Sequence, residues 1–372
     1  MRIPRLDRYL ALEIIGPFFA ALAFLSGLLL AMQLLRGIDV MLGSGVRPLD
    51  LARILGYLGP HFLSMAMPVS FLFALILAVG RWAEDREFVA LMGAGVAPWR
   101  LWVAPLSLAL VVSSLGILLG RGPDPHGLRA LRLHVNELIK RNMAGDVRPG
   151  VFYDTLSAIT LYAQGVSPKT RHFSNMLLSD ERDPEASILV LARDGYVDPH
   201  GGGGTLRLVL TDGEMHRSAA SAHDYALITF QQSSLNIGVR NDLLRRNNFG
   251  LVREELTPDE LTVEAERYDR EGKEYEARSV RIWREKRFAA PLATVAFTLC
   301  GVPLALRGRR RSRAMGAVWT LAMYVGFYVV ARAAEVSADA GRISPLLSAH
   351  VANLLFAGLG LVLLRRVGRA EG

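Results

Sequence analysis

The sequence predicts a membrane α-helical protein with six transmembrane helices, arranged three and three around an inserted all-β domain. Three observations lead there. Hydrophobic residues make up 51% of the 372, yet 21% are charged, so the apolar residues must be clustered rather than spread through one globule. They gather in blocks at the two ends of the chain, several reaching the roughly 20 residues that a helix needs to cross about 30 Å of hydrocarbon. Between the two groups lies one long polar stretch with short β-rich runs.

The first span reads as Ile14 to Leu35. Arg2, Arg5 and Arg8 precede it and Ala21-Leu22-Ala23 mimics a signal-cleavage motif. That motif lies inside the apolar run, and the run is longer than a signal core, so the segment is read as an anchor. The second span is Pro60 to Gly80, the third Pro98 to Gly120, the fourth Phe288 to Leu306, the fifth Ala314 to Val336 and the sixth Pro345 to Leu364. An even count puts both termini on one side.

Short-loop cations set that side. Arg2, Arg5 and Arg8, then Arg81, Arg86 and Arg100, then Arg307, Arg309, Arg310, Arg311 and Arg313, then Arg365, Arg366 and Arg369 all fall together. The opposite short loops hold Arg36, Arg47, Arg53 and Arg342, interspersed with Asp39, Asp50 and Asp339. The termini and the arginine loops are therefore expected in the cytoplasm. The formal charge of +8 is accounted for by membrane orientation and anionic headgroups. A nucleic-acid binder would cluster its cations on one soluble face, and none is expected as a partner. The single cysteine, Cys300, falls in span four and reads as packing.

The polar stretch from about Arg121 to Arg287 is expected outside the cytoplasm and has the length of one soluble domain. It opens with Leu128, Leu131, Val135, Leu138 and Ile139 at helical spacing. Strand-like runs follow at Ile159 to Ala163, Ile188 to Ala192, Leu206 to Thr211 and Tyr225 to Phe230, separated by turn clusters at Ser179 to Pro184 and Pro199 to Gly204. Strands without intervening helices mean an antiparallel sandwich, open barrel or jelly roll. Thr257-Pro258-Asp259-Glu260 then carries a capping hydroxyl, proline at the first helical position and a glutamate three residues after the cap. Val280, Trp283 and Phe288 fit a helix feeding span four. The chain thus divides into residues 1–120 with a cytoplasmic loop at about 81–96, residues 121–287, and residues 288–372.

Catalytic signatures fail on inspection. Gly272-Lys273 is followed by Glu274 and lacks the upstream glycine of a phosphate-binding loop. His200 ahead of Gly201 to Gly204 resembles an oxyanion strand, but no nucleophile elbow accompanies it, and a hairpin tip is the better reading. There is no zinc-binding helix or cysteine–histidine cluster. Ion-coupled transport needs ionisable groups near the bilayer midplane. Glu13 and Glu335 sit near span ends and His61 and His350 are isolated, so they read as interfacial or interhelical hydrogen-bonding groups. The chain is not expected to be an enzyme or to hold a cofactor, and its energy source should be external.

The loop after span two, Arg81-Trp82-Ala83-Glu84-Asp85-Arg86-Glu87-Phe88-Val89-Ala90-Leu91-Met92-Gly93-Ala94-Gly95-Val96, predicts a short helix up to Met92 with an acidic start, ended by Gly93 and Gly95. A helix lying on a soluble partner explains exposed Phe88, Val89, Leu91 and Met92, where an ordinary solvated loop does not.

This run resembles the coupling-helix signature of the lipopolysaccharide export permeases, the LptF/LptG (YjgP/YjgQ) family. Arg5-Leu6-Asp7-Arg8-Tyr9-Leu10, the proline-containing second span, Phe173-Ser174-Asn175-Met176-Leu177-Leu178, and Lys286-Arg287-Phe288-Ala289-Ala290-Pro291-Leu292 into Gly301-Val302-Pro303-Leu304 are similar to it as well. The resemblance implies a bacterial inner-membrane ABC permease with cytoplasmic termini and a periplasmic jelly-roll-like domain. It implies a sister subunit of LptG or LptF type and two copies of a cytoplasmic LptB-type ATPase that bind ATP and Mg. It further implies LptC/LptA-type jelly-roll bridge proteins, towards which lipopolysaccharide is passed on its way to the outer membrane. Gly301 to Leu304, the arginine-rich loop after them and Asn353 look more like the F-type subunit.

Glu87 matches the family's coupling-helix glutamate and is expected to pair with a basic residue of the ATPase, supported by Arg81 and Arg86, with Glu84, Phe88 and Leu91 in the same contact. Arg36 is a lipid-headgroup candidate or an interfacial anchor. The family's deeper basic residue in span one has no counterpart among Leu28, Leu29, Leu30, Ala31 and Met32. Two other classes stay open: a membrane-anchored periplasmic scaffold or sensor, which predicts no ATPase partner, and a hydrolase, which predicts a nucleophile.

Overall fold

The computed structural model describes residues 4–36, 47–143, 149–156, 159–167, 172–180, 186–198, 206–219, 225–237, 253–306 and 313–367. Arg2, Asp39, Arg307, Arg309, Arg310, Arg311, Arg369 and the His200 to Gly204 run lie outside them. Contacts divide the chain into two compact units, one of Met1–Gln33, Leu55–Leu128 and Val252–Gly372, the other of Leu34–Ile54 and Arg129–Leu251.

In chain order the elements are α1 (Pro4–Arg36), α2 (Pro48–Glu84), α3 (Glu87–Gly93), a 3-10 turn (Pro98–Trp102), α4 (Val103–Arg121) and α5 (Pro123–Met143). Six strands follow: β1 (Phe152–Leu156), β2 (Ile159–Ser167), β3 (His172–Asp180), β4 (Ala186–Asp198), β5 (Leu206–Ala219) and β6 (Tyr225–Ile237). The chain closes with α6 (Pro258–Arg270), α7 (Glu274–Leu306), α8 (Arg313–Asp339) and α9 (Pro345–Val367). Six helical stretches are long and apolar enough to cross a membrane. Each overlaps one of the six predicted spans, but α2 starts at Pro48, well before the expected Pro60. Its polar first turns persist because the Asp50 carboxylate accepts from the Arg47 amide at 3.2 Å, one half of a capping box.

In the helical unit, one cluster packs Leu10, Ile14 and Phe18 of α1 against Phe71, Leu75 and Val79 of α2 and Ala109 and Val112 of α4. A second joins Leu72 and Ile76 of α2 to Phe297 and Cys300 of α7, Met323 of α8 and Leu363 of α9. Cys300 is fully buried there, as a small apolar side chain. Close helix contact depends on glycines, as at two positions. A Cβ on Gly116 would stand 2.9 Å from that of Pro291, and one on Gly360 would strike the Leu299 backbone. Pro291 is inside α7, and Ser113 Oγ of α4 donates to its carbonyl at 2.8 Å. The capping box predicted at α6 is present, with Thr257 N donating to Glu260 Oε2 at 2.8 Å and Glu260 N to Thr257 Oγ1 at 3.3 Å. It seats Leu261 and Ala265 on Val280 of α7.

The six strands form one antiparallel sheet in sequence order. The connections are those of an up-and-down meander, with no Greek-key crossover among the described strands. Every run expected as strand lies within one, but β1 and β3 had no periodicity signal, and Ser179 and Asp180, expected in a turn, close β3. The reason lies in a line of irregularity across the sheet. Asn175 and Asp212 have positive φ, 47° and 50°, the region that Asn and Asp tolerate best. Along β3 the buried positions run Phe173, then Met176 and Leu178, so the two-residue alternation slips by one at Asn175. Gly213, beside Asp212, has no room for a Cβ against the Leu191 carbonyl. Leu161, Ala163, Met176, Leu178, Val190, Ala192, Leu208 and Leu210 are buried.

Candidate functional site

The loop after α2 departs from the single helix expected there. The preceding span runs on to Glu84, carrying Arg81 and Glu84 in its last turn. The chain then breaks at Asp85 and Arg86, where Arg86 adopts φ 58°, and a separate seven-residue α3 starts at Glu87. A left-handed arginine resets the helix axis, which a continuous helix from Arg81 to Met92 cannot do. Gly95, at φ 82°, closes the far end of the turn, and the Gly95 and Val96 amides donate to the Met92 and Leu91 carbonyls.

Phe88, expected to be exposed, is 8% exposed and joins Leu10, Ile14, Trp82, Leu101 and Trp102 in the core. Leu91 and Met92 are half-buried against the same cluster, and Val89 is exposed. One side of α3 is therefore an anchor. The free side presents Val89 and Ala90, next to the exposed Glu84, Asp85 and Arg86 and the exposed Trp99.

The polar side chains of this region are tied to α1. Tyr9 Oη donates to Glu87, 3.0 Å from Oε1 and 3.1 Å from Oε2. Arg81 Nη1 lies 3.3 Å from Glu13 Oε1, and Trp82 Nε1 donates to Glu13 Oε2 at 2.6 Å. Arg100 Nη2 meets Asp7 Oδ2 at 2.5 Å. Glu87, Arg81, Glu84 and Arg86 thus lie together at this end of α2, while Phe88 and Leu91, expected in the same contact, turn into the core. Arg36 is the last residue of α1 and lies far along the chain from it; its side chain is outside the described residues.

Beside the middle of α2, from His61 to Val69, a half-open cavity of about 360 Å³ is bounded by α2, α4, α7 and α8. Met65, Pro68, Phe297 and Phe327 give it apolar walls, and Lys286, Arg287, His61 and Asp124 give it a polar edge. His61, read as isolated, is paired: its Nδ1 lies 2.9 Å from Asp124 Oδ1. Lys286 Nζ is 2.9 Å from Glu335 Oε1 and stands over the Trp283 ring at 5.0 Å. Arg287 donates to the Gly120 carbonyl at 3.0 Å and the Glu254 carbonyl at 2.5 Å. No group of three or more metal-ligating side chains occurs among the described residues.

A family model described as the lipopolysaccharide export system permease LptF/LptG matches residues 8–366. The chain belongs to that family. No curated protein matches it. As an LptF/LptG permease it is a multi-pass inner-membrane protein of lipopolysaccharide export, a transport subunit and not a catalytic one. Sequence reasoning about this permease missed Tyr9, Asp7 and Arg100 as partners of the loop, and Asp124 as the partner of His61. No local spacing signals pairs that lie 63 to 93 residues apart.

Proposed function

We propose that the chain is the F-type permease subunit of an ABC transporter that extracts lipopolysaccharide from the inner membrane. It would work with an LptG-type sister and an LptB-type ATPase dimer that holds the ATP and Mg, and pass the lipid to LptC/LptA-type bridge proteins. The observation that carries this reading is the family match across residues 8–366. The cavity supports it chemically. A phosphorylated amphiphile needs apolar walls for its acyl chains and a cation for its head, and Lys286 stands at the edge of a mostly apolar space. Asn353, buried in α9 and donating to the Ala289 carbonyl at 2.8 Å, supports the F-type assignment through the resemblance already noted.

In this reading the termini and arginine loops are cytoplasmic and the strands are periplasmic. The meander curls into a jelly-roll-like groove that keeps acyl chains from water. Lipid recognition at Arg36 belongs to the same reading. The α3 surface docks the ATPase: Phe88 fixes the helix to the core, so a push on its free side moves α1 and α2 with it. Glu87 is held by Tyr9 until a basic residue of the ATPase competes for it.

Purification from native membranes in mild detergent tests this. Wild type should bring down a nucleotide-binding subunit and a second six-span chain, Glu87→Ala should lose the ATPase, and Tyr9→Phe, which spares the carboxylate, should keep it. A wild-type chain that emerges alone would favour a membrane-anchored scaffold.

A further inference from the structure

Arg287 stands where α7 passes from its charged half, with Arg284, Glu285 and Lys286, into its apolar half, starting at Phe288. Its Nη1 donates to the Gly120 carbonyl at 3.0 Å, and its Nη2 to the carbonyls of Glu254 at 2.5 Å and Arg253 at 3.5 Å. Gly120 lies in the last turn of α4, where the chain sets out towards the strands. Arg253 and Glu254 lie where it comes back, just before the Thr257 cap of α6. One side chain therefore bonds both the outgoing and the returning segment. Beside it the pair of His61 on α2 and Asp124, the second residue of α5, fastens the outgoing segment once more, with Ser64 Oγ 3.5 Å from the other Asp124 oxygen.

The residue type matters. Arginine presents five donors in a rigid planar fork and serves acceptors on two segments at once, whereas lysine is a point charge on a flexible stem. The carbonyl at the end of α4 also carries the negative end of the helix dipole, which favours a cation there. The outgoing and returning segments are the two covalent routes between the apolar helices and the strands. If they bent independently, movement of the helices would be absorbed in them.

We propose that Arg287 is a positioning residue for transport: it clamps the outgoing and returning segments onto α7 as one joint, so that ATP-driven movement of the spans is delivered to the inserted strands. The proposal rests on the transport reading above.

The test uses the assembled transporter in proteoliposomes, with lipopolysaccharide as substrate and a soluble jelly-roll bridge protein as acceptor, and counts lipid delivered per ATP hydrolysed. Arg287→Met and Arg287→Lys should each lower that yield by about fivefold or more. A second measurement follows the joint directly, by electron-spin distances between labels at Leu118→Cys on α4 and Val263→Cys on α6, both exposed positions. The distribution should be narrow in the parent chain with and without nucleotide, and broad in Arg287→Lys. An unchanged yield per ATP, or restoration by lysine with narrow distances, would overturn the clamp. If the variants do not assemble, the spin distances in the isolated chain decide, and a distribution matching the parent's overturns it. A wild-type transporter that delivers no lipid would instead count against the transport reading, leaving the spin distances to judge the joint.

Discussion

The two polar layers of the helical unit differ in what their arginines bind. From His61 to Arg81 along α2 the rise is about 30 Å, the thickness of the hydrocarbon between them. At the Arg81 end, side chains meet side chains: Asp7 with Arg100, Glu13 with Arg81 and Trp82, Tyr9 with Glu87. At the His61 end, side-chain pairs also occur, His61 with Asp124 and Lys286 with Glu335, but the arginine there, Arg287, meets backbone carbonyls instead. A pair of side chains can exchange partners by rotation of either one, whereas a donor shared between backbone carbonyls of two segments leaves them without it when it goes. In the proposed reading the loop end is equipped for a partner that comes and goes, and Arg287 is committed to its own chain.

That contrast makes ranked predictions, read as loss of thermal and denaturant resistance of the purified chain in detergent. Phe88→Ala should cost most, about 3 to 4 kcal/mol, because it empties the buried aromatic anchor of α3. A cost near zero would mean that the ion pairs, not the core, hold α3. Arg287→Met should cost about 2 to 4 kcal/mol by leaving the Gly120 and Glu254 carbonyls without their donor. Asp124→Ala should cost about 1 to 2 kcal/mol, since a half-buried His61 loses its partner. Asp7→Asn should cost under about 1 kcal/mol and less still at high salt. If Asp7→Asn outranked Arg287→Met, the distinction between exchangeable and committed ends would be broken.

The sequence carried the parts of the fold that are local. Runs of about 20 apolar residues, and a threonine–proline–glutamate start at Thr257, each determine their structure within a few turns, and the six apolar helices and the α6 capping box follow from them. The loop helix was legible as a helix but not as an anchored one, because the burial of Phe88 depends on Leu10 and Ile14 of a helix 70 residues away. Strand β3 hid because Asn175 breaks the two-residue alternation that reveals strands. Arg287 was visible as part of a family-like run, but carbonyl partners at Gly120 and Glu254 leave no mark on composition or spacing.

The most direct test of the account places a photo-crosslinking residue at Met65 or Tyr328, two exposed side chains of the cavity, in native membranes. Adducts with lipopolysaccharide that diminish when ATP is supplied to the assembled complex are the predicted result. Adducts with phospholipid alone, unchanged by ATP, would contradict it.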